Sequence, residues 1–416
     1  MRVARQLHLA AALLVAALIV LPGASAQAAG SVREYQWYLP GLELASAHKV
    51  SKGEGQIVAV IDSGVDATHP DLADRVLPGH GIGADAAVDG REDSGESGHG
   101  TAMASIIAGG GLDKYHLLGV APQAQILPIS LGPSITSDEV AQGIRWAVDN
   151  GATVINLSLG STHPGTANDD EIQAVRYAID HNVVLVAAAG NNQVQGDRVA
   201  SPGNIPGVLT VSGLDRNGQL WTGSCVGPEV VLAAPAVEVI AGVPERVSDN
   251  GYVITDGTSA ASALAAGTVA LVRSAYPELD AANVIERLLA TATDLGPSGR
   301  DEQYGFGEIQ PAAALNAEVA TVTDYPIATP TADRAAKSGD ERSQWRVDRN
   351  AGERMMLTGI LVVGVLLLFS FAGWALWQGF RRRHLEVVER EQVVPAPRSG
   401  GEVYGSSPRQ STAPHQ

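Results

Sequence analysis

Between Gln56 and about Ala317, short apolar runs alternate with stretches of helical period, and this alternation leaves few architectures open to the chain. Ile57–Ile61, Ala124–Leu131, Ala152–Leu157 and Val183–Ala188 are apolar along most of their length rather than at every second residue. A strand wetted on one face would alternate, so these read as strands buried on both faces. Between them, Ser137–Asn150 sets Val140, Ile144 and Ala147/Val148 on one helical face. Ser137 is its expected cap, with Asp138 and Glu139 favouring the positive end. Asp169–Asp180 reads as a second helix. The expected fold is α/β, a parallel sheet with helices on both faces.

Two further segments address a membrane. Residues 1–26 carry Arg2 and Arg5, an apolar run from Leu9 to Leu21, and then Ala24-Ser25-Ala26. This is the pattern of a secretory signal peptide, with an uncleaved N-terminal anchor as the alternative. Leu357–Trp377 holds 21 residues without a charge, enough to span a bilayer as one C-terminal transmembrane helix. Trp374 and Trp377 lie near one end and Arg381, Arg382 and Arg383 follow. Positive residues stay inside, so a single-pass cell-membrane protein is expected, with 27–356 external and 378–416 a cytoplasmic tail. The globular domain is expected over 27–319, including a short N-terminal extension. Residues 320–356, with Pro326, Pro330 and many charges, read as a flexible linker.

Charge and cysteine use exclude other classes. A formal charge of −17 argues against a nucleic-acid partner, which requires a basic face. The single cysteine, Cys225, permits neither an intramolecular disulfide nor a cysteine-based metal site and reads as a small buried thiol. Asp85–Glu96 contains five carboxylates. It reads as a solvated loop. Calcium is the alternative, but the spacing fits no defined calcium loop and no metal is assigned.

Four places carry candidate chemistry. In open parallel sheets, sites gather at the carboxyl ends of the strands, and the first strand ends in Ile61-Asp62-Ser63-Gly64. Gly98-His99-Gly100-Thr101 precedes the small apolar run Ala102–Ala108, which has helical character. The flanking glycines are expected to let substrate backbone approach. Asp256-Gly257-Thr258-Ser259 opens a long helix reaching about Ser274. Ala188-Ala189-Gly190-Asn191 places an amide after a strand, where it can stabilise an oxyanion. Each has an ordinary reading as well: Asp62 in a turn, Ser259 as an N-cap, Asn191 in a turn. His69, in His69-Pro70-Asp71-Leu72, competes with His99 but reads as a turn. Ser262 competes with Ser259 but falls inside the helix.

The order Asp, His, Ser is that of a subtilisin-type triad, and here the chain resembles the subtilase family. Ile57–Asp66, His69–Leu72, Gly98–Thr101, Gly119–Pro122, Asn156–Gly160, Ala188–Asn191, Gly257–Ser259 and Tyr304–Gly307 all look like its motifs. The resemblance implies a subtilisin-like fold and a polypeptide substrate; no cofactor is assigned, with calcium, which many subtilases bind, as the alternative. It implies Ser259 as nucleophile, His99 as base and then acid, Asp62 as its orienting carboxylate and Asn191 in the oxyanion hole. It also implies that Ser158-Leu159-Gly160 pairs with extended substrate and, with Ala189 and Gly190, walls the pocket for the residue before the cut. Activity is then expected to rise with pH near the ordinary histidine value of about 6.5. The succession of signal, short extension, protease domain, proline-containing linker and span is similar to the mycosins, membrane-anchored proteases of type VII secretion. So are Ala102 and Ala263, where most subtilases carry His and Pro. Mycosins usually pair cysteines; this chain has Cys225 alone. About thirty residues before the first strand are too few for a typical cleavable prodomain. An anchored endopeptidase acting on secreted or envelope proteins is expected. The alternative is a structural subunit that stabilises a membrane secretion complex, with secondary protease activity.

Overall fold

The computed structural model describes residues 31–132, 135–160 and 167–327. The chain divides into two units, 1–340 and 341–416, and every described residue belongs to the first. The expected signal peptide (1–26), the span Leu357–Trp377, the tail 378–416 and most of the linker lie outside the described residues. Among the described residues no helix is long and apolar enough to cross a membrane.

Three single-turn helices open the domain: α1 (Val32–Tyr35), α2 (Tyr38–Gly41) and α3 (Leu44–Ala47). They are tied to the body by buried Tyr38, Leu42, Leu44 and Ala47. The Gln36 amide spans from the Leu118 N–H (3.0 Å) to its carbonyl (2.8 Å). Then follow β1 (Ile57–Asp62), β2 (His80–Ile82), α4 (His99–Ala108), β3 (Gln125–Leu131), α5 (Ser137–Asp149), β4 (Val154–Leu157), α6 (Asp169–Asp180) and β5 (Val184–Ala188). After these come α7 (Asn192–Gln195), β6 (Leu209–Leu214), β7 (Val230–Pro235), β8 (Val239–Gly242), β9 (Tyr252–Thr255), α8 (Thr258–Ala275), α9 (Ala281–Thr291) and α10 (Pro311–Asn316). The main sheet has seven strands in the order β2-β3-β1-β4-β5-β6-β7, all parallel. β8 and β9 form a separate antiparallel hairpin.

The apolar runs are explained by burial on both faces. Val58 and Val60 of β1 pack into one core with α4 and α8, whereas Ala59 and Ile61 pack into a second with α5 and α6. β4 and β5 divide in the same way. The chain leaves β1 toward β3 on one side and returns to β4 on the other, which places a topological switch point beside β1, where ligands of such sheets bind.

Two boundaries differ from expectation. Thr136, not Ser137, caps α5: its hydroxyl accepts from Glu139 N at 3.2 Å while the Glu139 carboxylate accepts from Thr136 N at 2.9 Å. Thr136 wins because it has extended backbone, whereas Ser137 is already helical. The packed chain also continues past 319. Asn283 exchanges hydrogen bonds with the Val322 backbone, Tyr325 donates to the Gly207 carbonyl at 3.4 Å, and Ile327 is buried. Those apolar side chains hold the first residues of the expected linker against the domain.

Helix α8 crosses the sheet almost wholly buried. A Cβ at Gly267 would lie 2.6 Å from Val120 Cβ, so close approach requires glycine there. Helix propensity favours Ala over Gly by about 1 kcal/mol, but overpacking against a branched, buried side chain costs ~1–3 kcal/mol. Gly267→Ala is therefore expected to lower the urea midpoint at unchanged slope; a raised midpoint would show that the contact relaxes freely.

Candidate active site

Asp62 is the last residue of β1 and is 5% exposed. His99 is the first residue of α4. Its Nδ1 lies 2.9 and 2.8 Å from the two Asp62 carboxylate oxygens, so Nδ1 carries the proton and Nε2 is the basic nitrogen. The glycines flanking His99 serve packing within the domain, not the substrate approach expected from sequence. A Cβ at Gly98 would meet Pro244 Cδ at 2.5 Å, and one at Gly100 would meet the Gly64 carbonyl oxygen at 2.1 Å. Gly98 also has a positive φ of 66°, which disfavours a side chain.

A second carboxylate supports this pair. In the acidic loop Asp85, Asp89, Glu92 and Glu96 are exposed, as expected, but Asp93 is buried. Its Oδ1 accepts from the Ser63 hydroxyl (2.8 Å) and Gly95 N (3.0 Å). Its Oδ2 accepts from Thr101 N (2.9 Å) and the Thr101 hydroxyl (2.6 Å). Asp93 thus joins the residue after Asp62 to the first turn of α4. The Ser63 hydroxyl is nearer to Asp93 than to Asp62, at 3.2 Å, and it accepts from Gly100 N at 3.1 Å. Its one proton goes to Asp93. Arg246 donates to the carbonyls of Asp93 and Gly95 and lies 3.9 Å from the Asp93 carboxylate. Burial pushes Asp93 above the ordinary carboxylate range and the charge of Asp62 adds to this, while its hydrogen bonds to Thr101 and Ser63 pull it back. No motif or spacing marks Asp93 among its acidic neighbours.

His99 sits in the field of both carboxylates. Burial lowers its affinity for a proton most strongly. The charge of Asp62, its hydrogen bond and the charge of Asp93 together outweigh burial, and His99 titrates above the ordinary histidine range. Its side chain is 37% exposed, so solvent screens part of this effect. His69 is occupied elsewhere: it is buried, with Nδ1 accepting from Asp71 N at 3.2 Å and Nε2 3.0 Å from the Gly251 carbonyl.

Ser259 is the second residue of α8 and is half-buried. Its hydroxyl donates to the Ser158 carbonyl at 3.2 Å, so in this rotamer it does not bond His99, the partner that base catalysis requires. Such contacts are often loose without substrate. Ser158 is held by Asn156 Nδ2 at 2.8 Å and lies 2.8 Å from the Ser262 hydroxyl. Ser262 is fully buried and donates within this network, to the Ser259 carbonyl at 3.0 Å. It is a structural serine, as its place inside the helix implied. Leu159 packs against the second core, the one shared with α5 and α6.

Asn191 follows Gly190, whose φ is 107°. The side chain Oδ1 accepts from Thr258 N and from the Thr258 hydroxyl, both at 3.0 Å. A backbone N–H can only donate, so this contact fixes which end of the amide is oxygen and leaves Nδ2 beside Gly257, 3.4 Å from where a Cβ there would stand. The Thr258 hydroxyl also accepts from Gly190 N at 3.1 Å. Thr258 was read only as part of the serine motif, yet it positions the whole amide. Ala189 is fully buried. Cys225 is buried too, and burial, then the charge of Asp197, pushes its thiol up to about 11.

A doubly covered parallel sheet with a carboxylate–imidazole pair and a helix-start serine at its rim defines the subtilisin-like class of α/β protein. Residues 53–307 match the Subtilase family. The chain belongs to that family and is a subtilisin-type serine protease. It is 37% identical to Subtilisin DY of Bacillus licheniformis over 286 residues, covering 66% of this chain and 97% of the relative. Among solved structures it resembles MycP1 from Mycobacterium smegmatis, with TM-score 0.58 and 30% identity over 72% of this chain and 88% of that one. MycP3 protease from the type VII (ESX-3) secretion system matches with TM-score 0.58 and 30% identity over 72% and 91%.

The charges around His99 set the expected pH profile. A base must be neutral, and both Asp62 and Asp93 favour the imidazolium. The acid limb of kcat/KM is therefore expected above the ordinary value of about 6.5. Asp93→Asn removes one negative charge and presents an NH2 to a backbone N–H at one of the two oxygen positions. It should move the limb to lower pH and reduce kcat by roughly 10- to 100-fold through misplacement of His99. An unmoved limb in a folded variant would leave Asp93 a purely structural residue.

Proposed function

We propose that the chain is a membrane-anchored serine endopeptidase of the mycosin kind, hydrolysing peptide bonds in secreted or envelope polypeptides through an acyl-enzyme on Ser259. The observation that carries the chemistry is the Asp62–His99 contact at 2.8 Å. It fixes the tautomer in which Nε2 is the free base. In this reading Ser259 rotates from the Ser158 carbonyl to His99 and gives its proton to Nε2 as Oγ bonds to the scissile carbon. The carbonyl electrons move onto oxygen, where Asn191 Nδ2 and the first turn of α8 supply donors. Collapse breaks the C–N bond, and His99 passes its proton to the leaving amine. Water repeats the sequence to release the acid, and no cofactor is required. Extended substrate pairs with Ser158–Gly160 beyond the end of β4.

The similarity to MycP1 and MycP3 supports the mycosin reading, and the 21 uncharged residues Leu357–Trp377 support the anchor. In this proposal the protease domain faces outward, the tail after Arg383 stays in the cytoplasm, and the enzyme works beside a type VII secretion complex.

Ser259→Ala is expected to abolish peptide cleavage and serine-directed phosphonate labelling with unchanged thermal unfolding. Asn191→Ala should lower kcat by about 100- to 1,000-fold, the magnitude for such a donor in subtilisin, a member of the same family. Labelling that persists in Ser259→Ala would remove Ser259 from its role. Digestion of a tag at Gln416 by protease added to intact cells would overturn the orientation.

A further inference from the structure

If Ser259 attacks and Asn191 receives the oxyanion, the scissile carbonyl must lie between them. The side chain on its acyl side then enters the gap between Ser158–Gly160 and Ala189–Gly190, and this inference rests on that reading. Gln195 is the last residue of α7, and its carboxamide lies beside both sides of this gap. Its Oε1 accepts from Asn191 N at 2.7 Å. The carboxamide touches both walls. A Cβ at Gly160 would lie 3.2 Å from Gln195 Nε2, and one at Gly190 would lie 3.3 Å from Gln195 Oε1. A side chain at either glycine would press on the amide and make it shift, so the two glycines leave Gln195 its present position. Ala200 Cβ and Cys225 Sγ lie nearby, 3.7 Å and 3.2 Å from the same two Cβ positions.

The orientation of this amide is fixed. Its partner is a backbone N–H, which requires oxygen at that end and sends Nε2 toward Gly160. Among the described residues nothing accepts from Nε2. A glutamine is flexible and can swing away, but doing so strips the partner from Asn191 N, next to the oxyanion donor. A large substrate side chain must therefore displace Gln195 and loosen Asn191 together, so it loses in the transition state as well as in binding.

We propose that Gln195 is a specificity-determining residue that truncates the pocket for the residue before the cut, restricting cleavage to small side chains such as Ala, Ser and Gly and disfavouring long aliphatic and aromatic ones. The amide donor at the floor favours small residues that carry an acceptor.

The test uses the full-length chain purified in detergent and a peptide series varied only at the position before the cut. The wild type is expected to show kcat/KM for Ala or Ser at least about 10-fold above that for Leu or Phe, the scale on which pockets discriminate by size. Gln195→Ala should reduce that ratio by about 10-fold or more, chiefly by raising kcat/KM for the large residues. Gln195→Glu keeps the length and the acceptor for Asn191 N, and should keep the exclusion of large residues. Thermal unfolding verifies that both variants fold. A Gln195→Ala variant that loses activity equally on every peptide, or keeps the wild-type ratio, overturns the proposal. So does loss of the size preference in Gln195→Glu. Absence of any Ser259-dependent cleavage by the wild type would instead overturn the protease reading beneath it.

Discussion

Covering a parallel sheet on both faces leaves little but the strand ends for chemistry. In β1, Val58 and Val60 are committed to one core and Ala59 and Ile61 to the other, so the first position free for a polar side chain is Asp62. The reversal of strand order beside β1 then decides which ends meet. Ser158 follows β4 directly, Asn191 lies three residues beyond β5, and α4 and α8 both begin at this rim. Helix starts present unpaired N–H groups and the positive end of the peptide dipoles. The same geometry that builds the core therefore delivers a carboxylate, a base, a hydroxyl and anion-favouring donors to one edge.

That edge contains an electrostatic difficulty. Asp62 and Asp93 are both buried and are bridged by Ser63, and a buried charge is tolerated only when it is thoroughly hydrogen-bonded. The domain meets this with donors from separate segments: Ser63 after β1, Gly95 in the acidic loop, and His99 and Thr101 at the start of α4. Because each carboxylate oxygen can be satisfied only in one arrangement of these segments, electrostatic necessity also specifies geometry. Arg246 brings the loop after β8 into the same arrangement. The distance between Asp62 and His99 thus depends on the acidic loop as much as on the sheet.

What the sequence made legible follows from this division. Strands that face two cores announce themselves as apolar runs, so β1, β3, β4 and β5 were readable to within a residue at most of their ends. β6 and β7 lie among Gly, Pro and polar residues that blur the pattern. The hairpin of β8 and β9 is antiparallel and half-exposed, unlike the parallel frame around it. Asp62, His99, Asn191 and Ser259 stand out in the sequence because they lie near glycines where apolar runs end or helical stretches begin. Asp93, Thr258 and Gln195 were not, because their importance lies in partners distant in sequence. Asp93 shares a loop with four exposed carboxylates, and no local property distinguishes it from them. The end of the packed domain was misplaced for the opposite reason, since the Val322 backbone held by Asn283 and two apolar side chains, Tyr325 and Ile327, suffice to hold a stretch that is compositionally a linker.

The segment around Asn191 shows how an irregular loop attains the rigidity of a strand. Ala189 N donates to Val211 O at 2.9 Å, Gly190 N to the Thr258 hydroxyl, Asn191 N to Gln195, and Cys225 N returns to the Gly190 carbonyl at 2.9 Å. Each of the three N–H groups has a partner, as burial demands, but two of those partners are side chains rather than a neighbouring strand. Thr258 belongs to the helix that carries Ser259, so the amide and the hydroxyl are registered to each other through one residue. Gln195 ends the short helix α7 that follows, and its amide lies beside both Gly160 and Gly190. The group that ties down the Asn191 backbone is therefore also the group that lies against Gly160 and Gly190. Shortening residue 195 would widen the pocket but orphan the Asn191 N–H, whereas keeping its length preserves both the bond and the restriction. On the proposed assignment of Asn191 and Gln195, substrate breadth and oxyanion geometry are coupled through a single side chain.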